Sequence, residues 1–282
     1  MLPTLLDTRI AGVHVVVPAY GTLLAVAALA TLVLAWWLAR RRGIAPWRAA
    51  AFLGVTAGCV PIGARLLHVA LNPSFYVRDP AAWLSTDPTG FALYGGLLLA
   101  AVAGALVARA ARIDLWRMAD ATAPALGVGI AFARLGCFLN GCCYGAVTYG
   151  PLGVVFPVGS LPWWGQFANS RISMFSSALP VYPTQLFELA GALAGSVLAA
   201  WMIARRSQDG AAFLAFVAWF SAVRWADWLV RVPAASFSAP PWLYPALYAT
   251  LIAGCLALAV ARRAALRPDR IVLVSQPRTE SF

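Results

Sequence analysis

Lysine is absent from this 282-residue sequence, and histidine occurs only twice. Carboxylates are scarce too: ten Asp and Glu stand against 21 basic residues, all arginine, for a formal charge of +11. Charged residues make up 11% of the chain, where soluble globular domains carry about 25%. That shortage excludes an ordinary soluble enzyme. No glycine-rich nucleotide loop is present, and no serine, histidine and carboxylate set suggests a hydrolytic triad. His14 and His68 lack ligand-like neighbours and read as interface or bridging residues. The opening "MLPTLLDTRIAGVHVVVP" has no basic region ahead of its apolar stretch, so no cleavable signal peptide is expected. Five cysteines, an odd number without framework spacing, argue against a disulfide scaffold. Cys59 and Cys255 fall inside apolar runs and read as small buried side chains.

What the sequence has in abundance is apolar residues, 62% of the chain. They form continuous Ala/Leu-rich runs without the two-residue alternation of a membrane barrel. Several runs approach the roughly 20 residues that cross a bilayer core. The fold class expected is therefore an all-α polytopic membrane protein with about seven transmembrane helices. The spans fall near 18–39, 50–71, 91–110, 118–135, 182–204, 211–230 and 242–261. Arginines crowd alternate connections: Arg40, Arg41, Arg42 and Arg48; Arg109, Arg112 and Arg117; Arg205 and Arg206; and Arg262, Arg263, Arg267 and Arg270. Cationic loops stay cytoplasmic, which puts the N-terminus outside and the C-terminus inside. Topology thus accounts for the basic charge, and no nucleic-acid partner is expected. Residues 1–263 read as one transmembrane domain, with an outer-side loop region near 136–181 and a disordered cytoplasmic tail over 264–282. Trp163 and Trp164 in that loop suit the headgroup interface.

Three arginines do not fit the topological pattern. Arg65, Arg134 and Arg224 lie in or at the ends of spans two, four and six, with Arg231 seven residues beyond Arg224. An arginine at bilayer depth costs roughly 2.5–3.5 kcal/mol on insertion scales, so it faces a polar cavity or an anionic partner. The forked donors of guanidinium match phosphate. These residues imply a lipid-accessible cavity for an anionic headgroup; the alternative is structural pairing with Asp120 and Asp227. Asp120 precedes Arg134 by fourteen residues, close to four helical turns, so both can share one face. Gly127 and Gly129 between them permit close helix approach. Gln185 and Glu188 share a face at the start of span five.

Cys137, Cys142 and Cys143 are spaced C-x4-C-C. As zinc ligands they offer an unusual adjacent pair and no clear fourth ligand, so no metal and no cofactor are expected. An outer-side location also suits a redox pair. The reading that asks least is small semi-polar side chains packed among glycines.

Taken together, these residues resemble the prolipoprotein diacylglyceryl transferase family over about residues 18–263. The family's R-x-G-N-F-x-N-x-E signature is matched by "RLGCFLNGC" at Arg134, Gly136, Phe138 and Asn140, with Gly145 following. Tyr20-Gly21, the "GAR" ending at Arg65, Asp120, "YPTQLFE" and the Arg224/Arg231 pair also match. The departures are specific: Tyr94-Gly95-Gly96 replaces His-Gly-Gly, Tyr182 replaces a histidine, and Cys137 and Cys142 replace asparagine and glutamate. The resemblance implies transfer of diacylglyceryl from phosphatidylglycerol, or another anionic phospholipid, to a cysteine thiol of a lipoprotein precursor peptide. It implies Arg134 and Arg224 on the phosphate, supported by Arg65 and Arg231. Tyr20 and Asn140 position the headgroup, and Gly95-Gly96 lets lipid or peptide approach. Asp120, Gly136, Cys137, Gly145, Gln185 and Glu188 complete the implied binding set. The base stays open between Tyr94 (reference pKa about 10), Cys142 (about 8.5) and water. Two alternatives remain: a related phospholipid-dependent transferase with another acceptor, and a non-catalytic lipid-binding or thiol-redox membrane protein.

Overall fold

The computed structural model describes residues 4–10, 13–84, 92–232 and 240–265. The tail expected over 264–282 lies almost wholly outside the described residues. The chain opens with an antiparallel hairpin, β1 (Thr4–Ile10) and β2 (Val13–Pro18), with Asp7 opposite Val16 and Arg9 opposite His14. His14 reaches Asp7 at 2.6 Å on its exposed face. The hairpin is an addition to the all-α expectation. Its alternating, β-branched "VHVVV" is a strand signal that the neighbouring apolar span overshadows.

The remainder is helical: α1 (Ala19–Arg41), α2 (Pro46–Leu71), α3 (Pro73–Arg78), a 3-10 turn (Pro80–Leu84), α4 (Leu93–Ala110), α5 (Leu115–Asn140), α6 (Leu161–Ala168), α7 (Thr184–Ala204), α8 (Ala211–Trp228) and α9 (Leu243–Ala265). Six of these, α1, α2, α4, α5, α7 and α9, are long and apolar enough to cross a membrane. The 18-residue α8, which carries Arg224 and Asp227, packs against α7 and α9 and completes a bundle of seven. Each expected span thus has a helix, and the protein is a polytopic helical membrane protein. The short α3 and α6 lie in connections and were not foreseen.

Helix α5 is the centre, packed against α1, α7 and α8, while α2 pairs with α4. Alanines dominate the contacts: Ala35, Ala39, Ala108, Ala121 and Ala125 are buried around Met118. Lipid gives helices no hydrophobic reason to associate, so small residues and close van der Waals contact must hold them. The α2–α4 pair is the clearest case. A Cβ on Gly63 would stand 2.6 Å from Leu99 Cβ, and one on Gly96 2.5 Å from the Val60 carbonyl oxygen. The space beside Gly95 is likewise filled by the Gly63 backbone and Leu67. Gly95 and Gly96 therefore bring two helices together here, and no lipid or peptide can enter on that face. Gly96→Val is expected to force the pair apart at a cost of about 1–3 kcal/mol, read as a lowered unfolding temperature in detergent.

The basic connections meet at one end of the bundle. Arg42 pairs with Asp209 and approaches Asp120 at 3.4 Å; Arg117 reaches Asp209 at 3.3 Å, and Arg262 donates to the Asp209 carbonyl at 2.9 Å. Asp120 is fully buried and accepts from the Gly210 and Phe213 backbone N–H groups, both at 2.9 Å, closing the start of α8. Asp120 and Arg134 are on one helix but at opposite ends, about 21 Å apart at 1.5 Å per residue. Asp120→Asn is expected to destabilise the protein by about 1–2 kcal/mol while leaving the KM for lipid unchanged, measured by thermal unfolding and a transfer assay.

Candidate lipid headgroup site

At the other end, α5 stops at Gly141, whose φ of +76° is costless only for glycine. The Gly141 N–H donates to the Phe138 carbonyl at 3.2 Å and the Cys142 N–H to the Cys137 carbonyl at 3.1 Å, the paired bonds of a Schellman stop. This turn carries α5 five residues past the expected end at 135. The chain then threads between two other segments. Gly145 donates to the Tyr182 carbonyl at 2.9 Å and Ala146 to that of Val230 at 2.7 Å. From the first turn of α7, Thr184 Oγ1 donates to the Cys143 carbonyl at 2.5 Å and Gln185 Nε2 to that of Cys142 at 2.7 Å. These bonds lock the ends of α5, α7 and α8 in one register.

Glu188, one turn into α7, is the hub, with no exposed surface. Arg134 Nη2 lies 2.6 Å from its Oε2, while Arg231 Nη1, at 2.5 Å, and Arg224 Nη1 meet Oε1. Arg231 also touches Asp227 at 3.2 Å. Three guanidinium groups against two carboxylates leave one uncompensated positive charge. The three arginine side chains keep 16–21% of their surface, enough for remaining N–H donors to meet a ligand from outside. The pairing that the sequence offered as the alternative, Arg231 with Asp227, is present but does not neutralise the cluster.

A tyrosine wall bounds the cluster. Arg224 donates to Tyr248 Oη at 3.2 Å, Tyr94 stacks obliquely on Tyr244 with ring centroids 6.3 Å apart, and Tyr244 lies 6.4 Å from the Tyr248 ring. Sequence reading missed Tyr244 and Tyr248; their i, i+4 spacing near the start of the last span was the available signal. Arg65 sits at the level of Tyr94 on α2 and donates to Tyr76 at 3.1 Å, and Tyr76 in turn bridges to His68 at 2.7 Å. On the opposite flank, Gly136 packs against the backbone of Tyr20, whose electrostatic neighbours are Cys137, Cys142, Cys143 and Arg134. Asn140 lines a cleft of about 510 Å³ with Leu139, Pro157, Ser160 and Leu161, between the end of α5 and the start of α6.

Beyond the helix end, hydrogen bonds from Cys137 and Cys142 hold the Cys143 thiol below the usual thiol range, with Arg231 and Arg134 acting the same way against burial. Tyr144 is pushed up by burial.

A family profile described as prolipoprotein diacylglyceryl transferase matches residues 9–243. The chain belongs to that family. A relative from Rhodopirellula baltica, named phosphatidylglycerol--prolipoprotein diacylglyceryl transferase, is 35% identical over 52% of this chain and 31% of its own length. One of the same name from Geobacter sulfurreducens is 33% identical over 62% and 61%, and one from Dehalococcoides mccartyi 27% identical over 77% and 78%. The chain thus spans 31% and 61% of the first two of these relatives.

Proposed function

We propose that this protein moves a diacylglyceryl group from phosphatidylglycerol to the cysteine thiol of a lipoprotein precursor, in the bacterial inner membrane with the N-terminal hairpin outside. The observation that carries this reading is the convergence of Arg134, Arg224 and Arg231 on Glu188 with one positive charge to spare. A phosphodiester supplies the missing negative charge. Glu188 holds the guanidiniums in place, so their outward donors need no reorganisation when the headgroup arrives. Membership of the family and the names of its relatives support the substrate pair.

In this reading the acceptor sulfur attacks C3 of the diacylglycerol unit, and the C–O bond breaks with its electron pair leaving on glycerol phosphate. Arg134 and Arg224 take up the developing phosphate charge, with Arg231 and Arg65 supporting. Tyr20 and Asn140 orient the headgroup, and Gln185 and Gly145 keep the loop registered. Tyr94 serves as the hydrogen-bonding wall beside Arg224, and Cys142 stands on the acceptor side. Complementation of a strain depleted of its own lipoprotein transferase tests the proposal. Rescue is expected, with glycerol phosphate released when purified protein receives phosphatidylglycerol and a cysteine-bearing precursor peptide. A well-expressed, membrane-inserted protein that neither rescues nor transfers would refute it.

A further inference from the structure

Three thiols meet at one point beside the arginine cluster. Cys137 is in the last turn of α5, and Cys142 and Cys143 follow the Schellman stop, yet all three Sγ atoms lie within 4.8 Å of one another. Cys143 makes this possible. Its φ of +62° is uncommon for a residue with a side chain, and it swings the second of two adjacent cysteines onto the same side as the first. Cys142 Sγ also lies 3.7 Å from the Cys137 carbonyl oxygen, which holds that thiol against the end of α5. Among the described residues no other group of three potential metal ligands gathers this closely. A tetrahedral zinc ion holds sulfur at about 2.3 Å, which sets its thiolates about 3.8 Å apart, a spacing reached here by small side-chain rotations.

We propose that Cys137, Cys142 and Cys143 hold one thiophilic divalent metal ion, zinc by its chemistry, whose open fourth position takes the acceptor cysteine's sulfur. The inference deepens the transferase reading and rests on it. Three protein ligands with a vacant position is the pattern of catalytic zinc, whereas structural zinc has all four. Three thiolates around a divalent ion carry one net negative charge, and the cluster's cationic neighbours are Arg134 and Arg231. A thiol that coordinates zinc loses its proton. That proton passes to solvent; the bound thiolate's lone pair forms the new C–S bond as the C3–O bond breaks, and the released pair leaves on glycerol phosphate. The product sulfur is a neutral thioether, a weaker zinc ligand, and departs. This supplies the deprotonation at a site where, among the described residues, the nearby carboxylates Glu188 and Asp227 are both engaged by arginine.

The test uses the full-length protein in detergent, with a phosphine reductant and Cys59→Ala and Cys255→Ala in the background, titrated with Co²⁺. One ion per chain is expected, with sulfur-to-cobalt charge-transfer bands that strengthen when a cysteine-bearing acceptor peptide is added but not its serine counterpart. Cys143→Gly keeps the left-handed backbone without strain and removes one ligand; it should weaken Co²⁺ binding by about 100-fold or more while the protein stays folded. Chelator-stripped protein should lose transfer by about 100-fold or more and recover it with Zn²⁺. No charge-transfer bands, bands that survive Cys143→Gly, or full transfer by stripped protein would overturn the metal's role and leave the transferase reading standing. Bands unaffected by the cysteine peptide would overturn the fourth-ligand role. Correct bands with no transfer in either state would sink the transferase reading instead.

Discussion

Glu188→Ala is expected to leave little folded protein in the membrane. The substitution removes the one group that touches Arg134, Arg224 and Arg231 together, leaving Asp227 alone against three cations. Breaking a buried ion pair by deleting one partner costs about 3–5 kcal/mol, because the remaining charge stays buried. Here three guanidinium groups are left, and total stabilities are only about 5–15 kcal/mol. The readout is the yield of monodisperse protein and its unfolding temperature. Glu188→Gln keeps the volume and two acceptor lone pairs, so it should fold at reduced stability. It carries a sharper expectation: phosphatidylglycerol should raise its unfolding temperature more than that of the unmodified protein, since the lipid phosphate then replaces a missing charge. Equal stabilisation of both by phosphatidylglycerol and by a zwitterionic lipid would refute the headgroup assignment. An alanine variant as stable as the parent would refute the hub.

The second large effect is on turnover. Arg134→Lys should lower kcat by about 100-fold or more, with insertion and unfolding temperature close to those of the parent. Lysine can still approach Glu188 Oε2, where Arg134 stands at 2.6 Å, so the ion pair survives. What it lacks is the planar fork that meets carboxylate with one edge and phosphate with the other. Loss of one preorganised donor to developing negative charge costs about 10²–10³ in rate. The assay is release of glycerol phosphate at saturating lipid. Unchanged kcat would show that Arg134 acts as a simple point charge.

Much of this site was visible in the order of residues. Arg134 and Arg224 stood out because arginine at bilayer depth is costly, Arg231 by its spacing from Arg224, and Glu188 by sharing a face with Gln185 at the start of span five. Their meeting was not visible. Arg134 and Arg231 reach Glu188 from α5 and from just beyond α8, and periodicity within one helix says nothing about neighbours on others. Asp120 shows the converse. Its helical phase relative to Arg134 is right, but phase fixes angle only, and the axial rise of α5 carries the two to opposite ends. The C-x4-C-C spacing pointed away from a metal site because it offers an unusual adjacent pair, whose side chains normally diverge, and no clear fourth ligand. One left-handed residue, Cys143, reverses that geometry, and no propensity argument anticipates a non-glycine residue there.

By itself the sequence determined that the bilayer is this protein's solvent, that the fold is a polytopic helical bundle, and at which residues arginine breaks the apolar pattern. Composition and run length suffice for that, because a chain in lipid must satisfy its backbone internally and helices are the local way to do so. Only the tertiary structure decided which charges share Glu188, which glycines bring helices together, and that three thiols meet. Those outcomes depend on the register between helices, which is set by close packing and by backbone bonds such as those joining Gly145 to Tyr182 and Ala146 to Val230.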